Sequence, residues 1–234
     1  MSSKNKEKFD KFNANKPYAI ICEDMDEYLF LIQYLNYLEV NEPDRFQDCH
    51  HVMNFGGIND LHNKLKIVKN LPHYQIVKGI LIVRDAEKDA QAAWNSLIDI
   101  IQQIWGVKLD SAGTIKISND DIKIGFYLLP GLDESGKYRS GTLEDLCLEI
   151  LQSPENENIS TNNILSSVNE YLDKIISIRQ KEMTKPHKNK LHLFFSSTDK
   201  FVDAKIGEAA KSGAFDFSHF KLNALKEMIL QMQD

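Results

Sequence analysis

Three groups of carboxylates carry the chemistry available to this chain. Glu23, Asp24, Asp26 and Glu27 follow the apolar run YAIIC. Asp85 and Glu87, with Asp89 beyond them, follow GILIVR; Glu144 and Asp145 come after GFYLLPG and a short connection. Carboxylate oxygens are the ligands of hard cations such as Mg²⁺, and a cation so held polarises a phosphate and acidifies a bound water. The same acids have a plain structural use. Near a helix N-terminus each complements the helix dipole by roughly 0.3–1 kcal/mol, and Asp is a strong N-cap. On that reading Asp24 or Asp26 caps one helix, Asp85 caps the next with Glu87 in its first turn, and Glu144 or Asp145 caps a third. Each cluster alone admits both readings. Three of them, each behind an apolar strand, favour a shared site.

The elements that must position these acids alternate in period. Residues 18–23 and 77–84 are continuously apolar and bounded by charge, the pattern of strands buried on both faces. HHVMNFGG and 122–129 add two more, for a mainly parallel sheet of about four strands. Between them Tyr28, Leu29, Ile32, Leu35 and Leu38 keep helical spacing, as do Ala90, Trp94, Leu97, Ile98, Ile101, Ile104 and Trp105. A basic helix is expected around 58–69, and a hairpin or loop around Thr114–Ser118. Thr142 and Asp145 have the spacing of a capping box. This order predicts an α/β fold with helices flanking the sheet. Beyond the polar break at 153–163 the chain reads as helical. The expected organisation is therefore a flexible tail (1–16), an α/β domain (17–152) and a mostly helical C-terminal part (153–234) packed on it. In such sheets ligands bind outside the carboxyl ends of the strands, where Glu23 and Asp85 fall.

The 234 residues, 42% hydrophobic and 26% charged, are ordinary for a soluble globular protein and ample for one core. No apolar stretch reaches the ~18 residues of a membrane span, and the polar N-terminus does not read as a secretory signal. Cys22, Cys49 and Cys147 lack metal-ligand spacing and read as reduced thiols of a cytoplasmic protein. His50, His51, His62 and His73 read as surface or turn residues. The formal charge of −6 argues against a general nucleic-acid coat; it leaves room for a nuclease, whose carboxylate site carries negative charge that a metal offsets. No P-loop, dinucleotide fingerprint or G-x-S-x-G elbow is present.

The order strand–Glu–acids–helix, then strand–Asp–x–acid–helix, resembles the TOPRIM domain of topoisomerases, bacterial primases and the overcoming-lysogenization-defect nucleases. The stretch LLPG…GTLEDLCL, with AKIGEAAKSGAFD further on, is similar to a bacterial TOPRIM-related family of uncharacterised function. The likeness runs from residue 18 over most of the chain. It implies that Glu23 matches the invariant Glu and that Asp85 with Glu87 matches the Asp-x-Asp pair, together binding Mg²⁺ or Mn²⁺. This chain departs from the pattern at Asp24, where the family has Gly, and at Glu87, where it has Asp.

On that resemblance Glu23 is a metal ligand and general base, Asp85 the central ligand, and Glu87 a second ligand, with Asp26 and Glu144 accessory. Lys205, in the family-like C-terminal segment, is the lysine expected to meet developing negative charge on phosphorus. Arg84 either contacts a phosphate or pairs with an acid. The basic stretch Arg179–Lys190 either tracks a nucleic-acid backbone or is a solvated linker. Two readings follow. One is a Mg²⁺-dependent enzyme acting on phosphodiester bonds, a nuclease. The other is a non-catalytic module of the same fold that binds nucleic acid, a nucleotide or a partner protein.

Overall fold

Strand β1 (Tyr18–Cys22) lies between β2 (His50–Asn54) and β3 (Gly79–Asp85) in a computed structural model that describes residues 16–57, 61–152 and 159–234. The sheet continues through β5 (Lys123–Leu129) to the short β4 (Ile115–Ile117), in the order β2-β1-β3-β5-β4. All pairings are parallel except β4 with β5. Residues 19–22 and 80–83 are essentially buried, so these strands need apolar side chains on both faces. That requirement is why they read as unbroken apolar runs. The fifth strand comes from the turn-rich excursion, whose three paired residues form the antiparallel edge.

Alternate strand residues feed two cores. Ile20, Cys22, Leu81, Val83, Tyr127 and Leu129 point to one; Ala19, Ile21, Ile80, Ile82, Phe126 and Leu128 point to the other. The second core is closed by α2 (Leu61–Lys69) and α3 (Ala90–Trp105). The first is closed by α1 (Met25–Asn41) and α4 (Leu143–Leu151), together with α5 (Ile159–Arg179), α6 (Pro186–Ser196), α7 (Ile206–Lys211) and α8 (Asn223–Gln233). Helix α8 lies against β3, β4 and β5. The expected α/β fold, a mainly parallel sheet flanked by helices with a helical C-terminal extension, is the observed one. Among the described residues no helix is long and apolar enough to cross a membrane. The three cysteines are free.

Residues 1–15 of the expected tail, 58–60 of the expected basic helix and 153–158 of the polar break lie outside the described residues. One expectation needs correction here. His50 is not a surface or turn residue: it is 5% exposed, its Nε2 lies 3.2 Å from Gln233 Nε2, and burial pushes its pKa down to about 4. Gln233, at the end of the C-terminal helix, and the Tyr18 ring, 5.8 Å away between centroids, pack against it.

Helix α7 sits closer to α1 than any side chain at Gly207 would allow. A Cβ built on Gly207 would lie 2.3 Å from Leu29 Cβ and 2.6 Å from Leu29 Cδ1. Gly207→Ala must therefore push α7 off α1, and overpacking of this kind costs about 1–3 kcal/mol. We expect a lower thermal midpoint for G207A with the fold retained; an unchanged midpoint would show that α7 yields freely.

Candidate functional site

The parallel pairing of β1 with β3 places Cys22 beside Val83, so the chain leaves both strands at the same edge. After β1 it turns directly into α1. Asp24 is the N-cap, its Oδ1 accepting the N–H groups of Asp26 (2.8 Å) and Glu27 (3.2 Å). Glu27 answers with Oε2, which accepts the N–H groups of Glu23 (2.6 Å) and Asp24 (2.8 Å). This capping box folds Glu27 beneath the turn, where it is 3% exposed. Asp26 is thereby left out of the cap, and it receives the Gly207 N–H instead.

After β3 the chain does not enter a helix at once. Glu87 takes a left-handed φ of 58° and bridges to Gly141, each N–H donating to the other's carbonyl at 2.8 and 2.7 Å. Asp89 then caps α3, its Oδ1 accepting the Ala92 N–H at 2.9 Å. The reading of Asp85 as the cap of α3, with Glu87 in its first turn, is corrected: the bridge to Gly141 holds that segment outside the helix. Asp85 reaches across to α4, where Oδ1 accepts the Leu143 N–H at 2.8 Å.

The α4 end is built as its spacing predicts. Asp145 Oδ2 accepts the N–H (2.8 Å) and hydroxyl (3.2 Å) of Thr142. Glu144, beside it, meets Lys188 Nζ at 3.4 Å. Gly141 has a φ of +140°, and a Cβ there would lie 2.8 Å from Pro130 Cδ and 2.9 Å from Asp145 Oδ2. Only glycine fits between the Pro130 turn and the cap.

These turns enclose a cleft of about 500 Å³. All the acids expected in the site line it: Glu23, Asp26, Asp85, Glu87 and Glu144. Lys205 does not; it is exposed at the start of α7, and its neighbour Ile206 reaches the cleft instead. The basic side chains on the wall are Lys88, Lys185, His187 and Lys188. The last three belong to the basic stretch near residue 185, so α6 carries its cations to the acids; His187 Nδ1 lies 3.8 Å from Asp145 Oδ2. Arg84 is 6% exposed and pairs within the protein, 3.9 Å from Glu23 Oε2 and donating from Nε to the Asp85 carbonyl at 3.1 Å.

Burial and like charge dominate the electrostatics. Burial pushes Asp85 up to about 8, opposed by the Leu143 N–H and reinforced by Glu144, Glu23 and Glu87. Glu27 is driven well above the carboxylate range by burial, then by Asp85, Asp24 and Glu23. Asp26 is raised by burial and Asp24. Glu144 differs: burial would raise it, but its own N–H, the Thr142 hydroxyl and Lys188 hold it below its ordinary value.

Among the described residues, no three His, Cys, Asp or Glu side chains are gathered as a finished ligand shell. Asp24, Glu27 and Asp145 each spend an oxygen on backbone N–H groups. Glu27 was legible as a partner of Asp24 from the D-x-x-E spacing, although nothing in the spacing marks it as buried in a site. Lys185, His187 and Lys188 were legible as a basic stretch but not as a wall of the cleft.

A carboxylate-lined cleft at the carboxyl edge of a mainly parallel α/β sheet is the kind of site this chain presents. Residues 17–233 match the family described as a protein of unknown function, DUF3226, and the chain belongs to that family. Among solved structures the chain is similar to the C-terminal region of the OLD protein of Xanthomonas campestris pv. campestris. The TM-score is 0.36 at 16% identity, over 91% of this chain and 98% of that one. No curated protein matches the sequence.

The charge crowding has a pH signature. With divalent ions chelated, folded Asp85 keeps its proton up to about pH 8, whereas the unfolded chain releases it near 3.8. The folded state thus holds the extra proton in between, and stability falls as pH rises through that window. Asp85→Asn keeps an oxygen for the Leu143 N–H and carries no charge. In chelator its thermal midpoint should exceed that of wild type at pH 8, with the gap closing toward pH 5. A gap that is constant with pH, or reversed, would overturn this account.

Proposed function

We propose that this protein is a Mg²⁺- or Mn²⁺-dependent phosphodiester-processing enzyme, a nuclease acting at the carboxylate cleft. The observation that carries the reading is Asp85: a buried carboxylate crowded by Glu23, Glu87 and Glu144, with Lys185 and Lys188 lining the same cleft. The TOPRIM resemblance of Glu23, Asp85 and Glu87 supports it.

The donor set fits such an ion. All the candidate ligands are carboxylate oxygens, the type hard cations take. Mg²⁺ usually binds through one or two carboxylates and keeps several waters, so it does not need a finished shell. Asp85 would hold it with Glu23 and Glu87, with Asp26 and Glu144 at the margin. When bound, the ion would polarise the phosphate and lower the pKa of a water. Glu23 would accept that water's proton at its carboxylate, and Arg84 beside it would keep the side chain oriented. Lys88, Lys185 and Lys188 would hold the phosphate backbone by charge, a role expected of the basic stretch Arg179–Lys190, to which the last two belong.

Two observations favour the second reading, a non-catalytic module binding nucleic acid, a nucleotide or a partner. Asp24 stands where the TOPRIM pattern has Gly, and it is committed to the α1 cap. Calorimetry with Mg²⁺ and Mn²⁺, run beside a cleavage assay on DNA and RNA substrates, separates the two. The enzyme reading expects wild type to bind an ion and cleave at least one substrate, and Asp85→Asn to lose both while staying folded. A wild-type protein that cleaves nothing and binds neither ion at millimolar concentration would leave the binding module.

A further inference from the structure

Beside the acid cleft lies a second cavity, of about 370 Å³, that the proposed chemistry does not use. Its wall is formed by Trp94 and Tyr138, with polar groups from Gln91, Asp110, Ser111 and Lys137 around them. The two cavities share a partition: Ser140 lines the cleft and Ala90 lines the second cavity, and the Ser140 Oγ accepts the Ala90 N–H at 3.2 Å. Lys88, on the cleft wall, is two residues before Ala90, and two residues of chain span at most about 7 Å.

The aromatic wall is rigid. The Tyr138 hydroxyl donates to the Phe126 carbonyl at 2.7 Å and accepts the Gly113 N–H at 3.4 Å. Phe126 stands behind both rings, with centroids 4.8 Å from Trp94 and 5.9 Å from Tyr138. Trp94 itself is only half-buried, unlike Trp105, which is 1% exposed and donates to the Tyr74 hydroxyl. A fixed, half-open aromatic surface ringed by hydrogen-bonding groups suits a flat heterocycle. Aromatic side chains stack on nucleic-acid bases of any sequence, because every base has a π-face.

We propose that the Trp94–Tyr138 cavity is a nucleobase subsite, holding the base of a single-stranded nucleotide whose phosphate lies in the acid cleft. This rests on the nucleic-acid reading above. The phosphate is held on the Lys88 side of the partition and the base on the Ala90 side, so the strand crosses at Ser140. The subsite selects unpaired over paired strands, because a base in a duplex has no free face to offer.

The test uses the full chain with Mg²⁺ and phosphorothioate-linked oligonucleotides that resist cleavage, one bearing bases and one abasic strand of equal length. Binding of the base-bearing strand should quench Trp94 emission, with the buried Trp105 as a constant background. It should bind about tenfold more tightly than the abasic strand, as labelled-strand anisotropy reads it. Trp94→Ala should remove that advantage and leave abasic binding unchanged, while Trp94→Phe, which keeps a ring and guards against misfolding, should preserve most of it. Equal binding of the two strands by wild type, or binding without change in Trp94 emission, overturns the subsite and leaves the cleft reading standing. Binding of neither strand overturns both.

Discussion

A carboxylate removed from water must be met by donors or a cation, or else keep its proton. Asp85 is where this chain meets that constraint most sharply. The Leu143 N–H that its carboxylate accepts comes from a residue 58 positions away. That bond ties the end of β3 to the start of α4. It fixes the place of Glu144, which follows Leu143, and of the Thr142–Asp145 cap, which precedes and surrounds it. The Glu87–Gly141 bridge runs beside it and draws the same two segments together. The organisation of the cleft thus follows from satisfying buried acids with backbone N–H groups, at the cost of leaving their charges close to one another.

That cost divides the acids into two kinds. Asp24, Glu27 and Asp145 are held by backbone donors of the turns they close. They are structural and would remain where they are with or without a ligand. Glu23, Asp85 and Glu87 stand at or just beyond strand ends, and burial and mutual repulsion keep Asp85 reluctant to ionise. Under the proposed function, a bound cation would offset those charges. The capping reading and the proposed functional one meet in Asp85, whose carboxylate also accepts the Leu143 N–H at the start of α4. Elsewhere they fall on different residues of the same clusters.

Much of this was legible in the sequence, because local constraints wrote it there. Buried parallel strands must be apolar on both faces, so YAIIC and GILIV marked themselves, and the acids behind them fell at the edge where parallel strands end. The Thr142–Asp145 spacing gave the α4 cap. What was not legible depends on contacts between distant segments. Glu87 has the residue type of a first-turn acid, and only the bridge to Gly141 keeps it out of α3 and passes the cap to Asp89. His50 has the look of a loop residue until Gln233, 183 positions away, packs against it. Lys205 sits in an apolar run that promised a directed side chain, yet the near-contact of Gly207 with Leu29 fixes α7 so that Ile206, not Lys205, reaches the cleft.

The distribution of charge carries the argument one step further. Eight of the 34 acidic residues line the cleft, against three of the 28 basic ones. Counted as formal charges, that local excess of five nearly equals the −6 of the whole chain. The protein is therefore not acidic over its surface at large, and its net charge says little against an anionic partner approaching from outside. What opposes such a partner is confined to the cleft floor, and a divalent cation would offset part of it at the point of contact. Two of the three lysines on the cleft wall, Lys185 at the N-cap of α6 and Lys188 within it, belong to the C-terminal part of the chain, while the acids come from the sheet edge and the turns beside it. The α/β part supplies the acids and Lys88, and the rest of the cations on the wall join only where the helical extension packs on the sheet.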